Sequence, residues 1–363
     1  MRLGYGARAA SKALLTVLLG MTISLACPAE EYFEKYGLSP ASAPLDLGIQ
    51  PLGYPSGVLS AVMHHDRILK KALINTGTPL QMHAFRRGAD MVKLLDDKYL
   101  DAGLLGDMPT ILAAASGNIW IIGLVKQTSS AIVAKGDNQV RSLAGKRIAY
   151  VENSSAHLTL LQGLSSAGLK EADVKLVAMG VDAMPEALER GEIDAFAAWE
   201  PGPTIALNNS DKNRIVFRGR NSDYFVIERD FAKRAPQATD ALIASYLRAI
   251  EWMRRSQRNI EKAATWAKAD AEALSGQPSA LPIAQIVAIT RQALLNVPSA
   301  PAILATPNSP PPLKAEFEYL KEQKKIPADS QWKTVETALS FDGLARVITH
   351  RRKFQISTFD YED

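Results

Sequence analysis

Leu100-Asp101-Ala102-Gly103-Leu104-Leu105-Gly106-Asp107-Met108-Pro109 and, 93 positions later, Ile193-Asp194-Ala195-Phe196-Ala197-Ala198-Trp199-Glu200-Pro201 are two versions of one pattern. Each follows a helical run, ending at Leu95 in the first copy and Leu188 in the second. Each sets an Asp-Ala pair ahead of a short apolar strand and closes in a turn with proline. Two such helix-strand units predict two similar α/β lobes. Ligands of open α/β sheets sit beyond the carboxyl ends of the strands, so facing lobes would each give one of these turns to a shared cleft. The pattern predicts a clamp around something small; chance likeness of two ordinary αβ units is the alternative.

The amino terminus bears on compartment. Arg2, Arg8 and Lys12 precede an apolar stretch, residues 13–25, that is too short to span a bilayer, and Ser24-Leu25-Ala26 supplies the small residues of a cleavage site. Residues 1–26 are therefore expected to be a signal peptide. The formal charge is +4, and without the three cations of that segment it falls to about +1, which makes nucleic acid an unsuitable partner. The single cysteine, Cys27, stands directly after the cleavage point. Its position resembles the acylated first residue of a bacterial lipoprotein, with Ser24 departing from the usual signal; ordinary cleavage beside an incidental thiol is the other reading. Without disulfides, stability has to come from core burial, which about 337 mature residues can supply.

Residues 27–44 read as a tether. Lobe one is expected over residues 45–135. Its elements are a strand through Ile49, a helix from Ser56 with Val58, Val62, Asp66 and Leu69 on one side, a strand over 80–85, and a helix over 89–95. The strand over 100–105, a helix over 110–115, a strand over 119–125 and an extended exit over 130–135 complete it. Lobe two is expected over 136–222, with strands at 147–151, 174–177, 193–198 and 215–217. A helix capped within Asn153-Ser154-Ser155 and another capped by Asp182 and ended by Gly191 accompany them. The strand over 224–227 would return the chain to lobe one, so that two crossings form a hinge and residues 223–363 rejoin the first lobe. From Pro236 onward helices are expected over 236–255, 260–268, 282–295 and 313–324, with a proline-rich surface loop over 298–312. The fold class is thus α/β, two-lobed, with extra C-terminal helices.

The stretches Gly48-Ile49-Gln50, Leu143-Ala144-Gly145-Lys146-Arg147-Ile148-Ala149, Leu188-Glu189-Arg190-Gly191-Glu192-Ile193-Asp194-Ala195 and Phe231-Ala232-Lys233-Arg234-Ala235-Pro236, together with the two quoted turns, resemble the substrate-binding proteins of ABC importers for sulfonates, taurine and nitrate, the NMT1-like family. The resemblance covers roughly residues 45–350, and its motifs are weak singly and specific in their order. The same superfamily includes binders of thiamine-precursor pyrimidines. The resemblance implies a periplasmic-binding (Venus flytrap) fold that closes on a small solute and delivers it to ABC permease subunits, with no cofactor.

The strand-end turns supply the candidate ligand residues. Gln50 ends the first strand, where sulfonate binders similar to this chain use a glutamine, and Tyr54 follows in the same breaker cluster. Arg86 ends the second strand beside Arg87, and a guanidinium there could grip an oxyanion in two hydrogen bonds, unless both are solvated surface charges. Gly106, Asp107 and Met108 open a helix whose free amides favour an anion, with Asp107 as a simple cap being the alternative. Ser129 stands before the exit strand. Asn153, Ser155 and His157 form the corresponding helix start in lobe two. Trp199 offers an apolar face and Glu200 a carboxylate suited to an amine or hydroxyl, so an aminosulfonate would satisfy both halves. Arg218 and Arg220 are secondary candidates.

Support for catalysis is thin. His64 and His65 are adjacent and lack metal-ligand spacing, and no nucleophile elbow, phosphate-cradling glycine loop or Cys-His pair is present. The related pyrimidine synthases carry a cysteine-rich iron site that one cysteine cannot supply. A sensory or partner-binding lipoprotein is the third functional class. Both readings of the amino terminus place the protein outside the cytoplasm, in the periplasm or on the outer face of the cytoplasmic membrane.

Overall fold

The repeated aspartates do the same work in both halves of the molecule. Asp101 accepts the main-chain N–H of Asp46 (2.9 Å) and Asp194 that of Arg147 (2.8 Å). The N–H groups of Asp101 and Asp194 return bonds to the carbonyls of Asp46 and Arg147, both at 2.9 Å. Each aspartate so locks the beginning of one parallel strand to the start of its neighbour. Their carbonyls accept from Glu228 (2.8 Å) and Lys135 (3.3 Å), where a long antiparallel strand ends in each half.

These contacts are seen in a computed structural model of the chain, which describes residues 38, 44–136, 139–298, 301–302 and 311–362. The expected signal peptide, Cys27, nearly all of the expected tether and most of the proline-rich loop lie outside those residues. The strands are β1 (Leu45–Ile49), β2 (Leu80–Ala84), β3 (Ala102–Gly106), β4 (Ile119–Lys135), β5 (Arg147–Tyr150), β6 (Lys175–Ala178), β7 (Ala195–Ala198) and β8 (Asn213–Glu228). They form one sheet in the order β2-β1-β3-β8-β4-β7-β5-β6. The trios β2-β1-β3 and β7-β5-β6 are parallel, and β4 and β8 run antiparallel between them.

β4 and β8 are longer than expected. The sequence suggested separate pieces at 119–125 and 130–135, and at 215–217 and 224–227, because polar residues interrupt the apolar alternation. Each pair of pieces is one strand of 17 or 16 residues. Their mutual antiparallel ladder satisfies the backbone of the polar stretches, so the strands continue without an apolar face. Ile122 and Val125 of β4 enter one hydrophobic core with Leu45, Phe225 and Tyr246, while Ala131 to Ala134 enter a second with Ile148, Leu160 and Phe196. The polar middles of β4 and β8 pass between the two cores.

The helices are α1 (Ser56–His64), α2 (Arg67–Asn75), α3 (Ala89–Asp96), α4 (Asp107–Ala115), α5 (Ser155–Ser166), α6 (Met184–Glu189), α7 (Gly202–Asn209) and α8 (Arg229–Arg234), followed by α9 (Pro236–Arg255), α10 (Gln257–Ser275), α11 (Ile283–Thr290), α12 (Pro312–Glu322), α13 (Trp332–Ala338) and α14 (Gly343–Thr349). The helix expected from Ser56 to beyond Leu69 is two. Asp66 caps α2, accepting from Ile68 and Leu69 N–H at 3.0 and 3.1 Å, and pairs with the buried Arg248 at 2.7 Å. A short acceptor bonds free amides better at a helix start than in a helix interior, which explains the break. α1 is buried all round from Ser56 to Met63 rather than along one stripe. Asp182 does not cap α6, whose first turn has no side-chain cap. Gly191 does take the left-handed conformation, φ +70°. α10 runs on to Ser275, α11 continues in a π turn, Arg291–Leu295, and α13 and α14 were not foreseen.

Candidate functional site

A narrow cavity lies where the carboxyl ends of two parallel strand pairs, β1-β3 and β5-β7, meet. Gln50 follows β1, Gly106 ends β3, Ser154 and Ser155 follow β5, and Trp199 follows β7; all line it. The polar middles of the crossing strands add Lys126 from β4 and Asn221 and Asp223 from β8. Four helices also begin on its wall. Ser56 opens α1, Gly88 precedes α3, Gly106 and Pro109 lie in the start of α4, and Ser154 caps α5 by accepting from His157 N–H at 3.2 Å. A helix start carries about half a positive charge, so the convergence of four makes the cavity hospitable to an anion.

Lys126, 2 % exposed, is the lysine of this wall and lies 3.2 Å from Asp223, its register partner across the β4-β8 ladder. Asp223 also accepts the Ser56 hydroxyl. A register shift between Leu124 and Lys126 re-aims the side chains of β4 at this point. Asn221 donates to Ser130 Oγ at 2.5 Å, while its Oδ1 and the hydroxyl of Ser222 are buried without a partner. Buried polar atoms normally find a partner, and of the two residues Asn221 lies on the cavity wall.

The two halves touch. A Cβ on Gly106 would come within 2.2 Å of Ser155 Oγ, and Tyr54 N–H donates to the Glu200 carbonyl at 2.9 Å. Arg86 bonds Asp182 at 2.6 Å and the Leu274 carbonyl at 3.0 Å. The space left open to the centre of a water molecule in the cavity is about 20 Å³, little more than one such molecule needs.

Of the residues expected at the site, Gln50, Gly106, Ser155 and Trp199 line this cavity. Gln50 is half-buried and donates to the Leu104 carbonyl at 2.9 Å. Asp107 lies behind the wall, fully buried, accepting from Met108 N–H (2.8 Å), Ser222 N–H (3.1 Å) and the Ser155 hydroxyl. Burial pushes its pKa up to about 6, against the opposing effect of those hydrogen bonds. It is the first residue of α4 rather than its cap, since Gly106 precedes the helix. Met108 is buried beside it. Arg86 is turned to Asp182, and Tyr54 lines a separate outer cavity. Ser129 accepts from the exposed Arg218 at 3.2 Å. Asn153 lies beside an open groove near α3 and α13, its N–H donating to His157 Nδ1 at 3.2 Å. His157 is buried rather than on a helix surface; its Nε2 lies 2.9 Å from Glu171, and burial holds its pKa below the ordinary value. The carboxylate of Glu200 accepts Thr204 N–H at 3.3 Å, at the start of α7, instead of facing the cavity.

Lys126, Asp223, Asn221 and Ser56 were missed. A lysine directly after seven apolar strand residues was a readable signal for Lys126, because a strand that buries its neighbours also buries the charge. Asp223 carried no such mark, being one acid in a polar run. Among the described residues no cluster of histidine, cysteine or carboxylate side chains is arranged to hold a metal ion.

The sequence profile of the NMT1-like family matches residues 30–268. The chain is 27 % identical to the taurine-binding periplasmic protein of Escherichia coli over 70 % of its own length and 80 % of that protein's. It is 25 % identical to a putative aliphatic sulfonates-binding protein of the same organism, over 57 % of this chain and 67 % of that one. Among solved structures it resembles the alkanesulfonate-binding protein SsuA of Xanthomonas axonopodis pv. citri bound to MOPS, with a TM-score of 0.62, 23 % identity and coverage of 83 % of this chain and 99 % of that one. That likeness shows the fold, the two-lobed periplasmic-binding arrangement.

Proposed function

The chain belongs to the NMT1-like family, and from that premise we propose that it is the solute-binding component of an ABC importer, working in the periplasm. It captures a small organic anion of the sulfonate class and hands it to a membrane permease. The carrying observation is the convergence of four helix starts and Lys126 on one cavity at the strand ends. An anionic head would sit against Lys126 and the start of α5, where charge-assisted hydrogen bonds are shorter and stronger than neutral ones. Asp223 and the open Oδ1 of Asn221 suit an amine or hydroxyl elsewhere on the solute, and Trp199 covers its apolar carbons. That the named relatives are binding proteins favours this reading over a catalytic one.

On this reading residues 45–135 with 223–363 form one lobe and residues 136–222 the other, and the middles of β4 and β8 are the hinge. A thermal-shift screen of the mature protein tests the class. Taurine, alkanesulfonates, nitrate, bicarbonate and aminopyrimidines each at about 100 times their dissociation constant would add roughly 2.7 kcal/mol if bound. Stabilisation by sulfonates is the expected outcome, and stabilisation by aminopyrimidines alone would overturn the proposal.

A further inference from the structure

Asp107 stands directly behind the cavity wall with no cation beside it. It is the first residue of α4, it is fully buried, and among the described residues it takes part in no ion pair. Three donors hold it: Met108 N–H at 2.8 Å, Ser222 N–H at 3.1 Å and the hydroxyl of Ser155. The first two are main-chain groups, fixed by α4 and β8. The third can turn, and it belongs to a residue that lines the cavity at the start of α5, in the opposite half of the molecule. A Cβ on Gly106 would stand 2.2 Å from Ser155 Oγ and 3.6 Å from Asp223 Oδ1, so this hydroxyl lies at the point where the halves close on the solute.

A serine hydroxyl has a single hydrogen to donate. While Asp107 is a carboxylate that hydrogen is committed to it, and Ser155 shows the cavity lone pairs only, which repel an anion. Once Asp107 carries a proton, its own O–H can be donated to Ser155 Oγ, and the serine hydrogen is released to turn inward. Charge acts in the same sense: a buried carboxylate and an anionic head on either side of one hydroxyl are like charges in a region of low dielectric. Burial already pushes the Asp107 carboxyl up to about 6, with the charge of Asp223 adding in the same direction.

The other ionisable groups of the elements packed on α4 are engaged elsewhere. On β8, Asp223 is bonded to Lys126 of β4 and to Ser56, and burial, then the charges of Glu316 and Asp107, holds the Tyr224 phenol protonated. Glu316 of α12 is buried under the influence of the exposed Arg220, away from the cavity wall. His157 of α5 is turned to Glu171. Asp90, Lys93 and Asp96 of α3 bond Arg87, Asp97 and Asn118, Lys333 and Glu336 of α13 bond each other, and β3 carries no charge.

We propose that Asp107 is a positioning residue that aims the Ser155 hydroxyl, and that capture of the anion is completed by a proton drawn from the medium onto Asp107. The inference rests on the sulfonate reading and adds a second, linked ligand to it. The link operates only in the closed form, because Asp107 and Ser155 come from opposite halves.

Calorimetric titration of the mature protein with methanesulfonate, an anion that stays ionised throughout, in buffers of differing ionisation enthalpy measures the proton uptake. Roughly one proton per anion should be taken up at about pH 7.5, where the ligand-free carboxyl is ionised, and almost none at about pH 5, where it is already protonated. Affinity should be level at the acid end and fall by up to about tenfold per pH unit above about pH 6. Asp107→Asn, which presents a neutral donor to Ser155, should bind without uptake and with a flat profile, whereas Glu316→Gln should keep both uptake and slope. Ser155→Ala leaves the carboxyl in place and removes the hydroxyl it aims; it should flatten the profile as well, and it decides the matter if Asp107→Asn does not fold. Absence of uptake by the unaltered protein at pH 7.5, uptake that persists in Asp107→Asn or in Ser155→Ala, or uptake that is lost in Glu316→Gln overturns the inference and leaves the sulfonate reading standing. Failure of methanesulfonate, butanesulfonate and taurine alike to bind at any pH removes the reading and the inference together.

Discussion

Lys126 and Asp223 neutralise each other at the centre of the cavity, so each is tolerable only because of the other. Removing one partner leaves an uncompensated buried charge, which costs about 3–5 kcal/mol in comparable pairs. Asp223→Asn and Lys126→Met should each lower the unfolding free energy by an amount of that order in urea titrations. The double variant should lose less than the sum, and strict additivity would mean the pair is not coupled. Lys126→Met should also abolish binding of the anionic solute. A second residue-scale prediction concerns Glu316 of α12, whose Oε2 is buried without a partner. Burial, then the charge of Asp107, holds its pKa well above the ordinary glutamate value, and Asp107 itself is pushed up to about 6. Carboxyls raised in this way keep protons that the unfolded chain releases. The contribution of Asp107 to stability is complete below about pH 4 and is lost as pH rises through about 6, and that of Glu316 is likewise present at low pH and lost as pH rises through its raised pKa. Glu316→Gln should therefore raise the melting temperature at pH 7, by the equivalent of about 1–2 kcal/mol, and change it little at pH 4. An equal shift at both pH values would show that ionisation is not the cause. Glu200→Gln is the contrasting case, with solute affinity expected to stay within about twofold because that carboxylate serves Thr204.

At the scale of elements, the start of α4 and the start of α5 meet across the cleft at Gly106 and Ser155. Gly106 has φ −66°, which alanine adopts without strain, so the obstacle to a side chain is the opposite half alone. Gly106→Ala should leave the thermal stability of the ligand-free protein nearly unchanged while weakening solute binding at least tenfold, since the halves can no longer close to the same distance. Ser155→Ala in the same chain should restore closure, read by small-angle scattering. Elements with a local cause were legible beforehand: α9 from its apolar spacing, the end of α6 from Gly191, and β3 and β7 from the repeat. The unbroken lengths of β4 and β8 were not, because only their pairing with each other justifies a polar strand interior.

For the whole molecule, the contacts that join the halves exist only when they are together. The Arg86–Asp182 pair is partly exposed and adds little to folding stability; on the proposed clamp mechanism its effect is on the balance between open and closed forms. Saturating solute should reduce the radius of gyration in solution scattering, and Arg86→Ala should enlarge it in the ligand-free protein. An unchanged radius in both experiments would remove the clamp mechanism while leaving the fold intact. The sequence by itself determined the two-fold plan, since Asp101 and Asp194 act through bonds to strands whose spacing is repeated along the chain. It also determined which turns end on the cleft, because a strand's carboxyl end is a local property. Only the tertiary structure decided which charges line the cavity. Lys126 and Asp223 are 97 positions apart and meet through the register of two long antiparallel strands, whereas Arg86 and Glu200, the more conspicuous charges at strand ends, are drawn away to Asp182 and Thr204. Side-chain direction at a strand end depends on which neighbour offers the nearer partner, and that neighbour is set by the packing of the two halves.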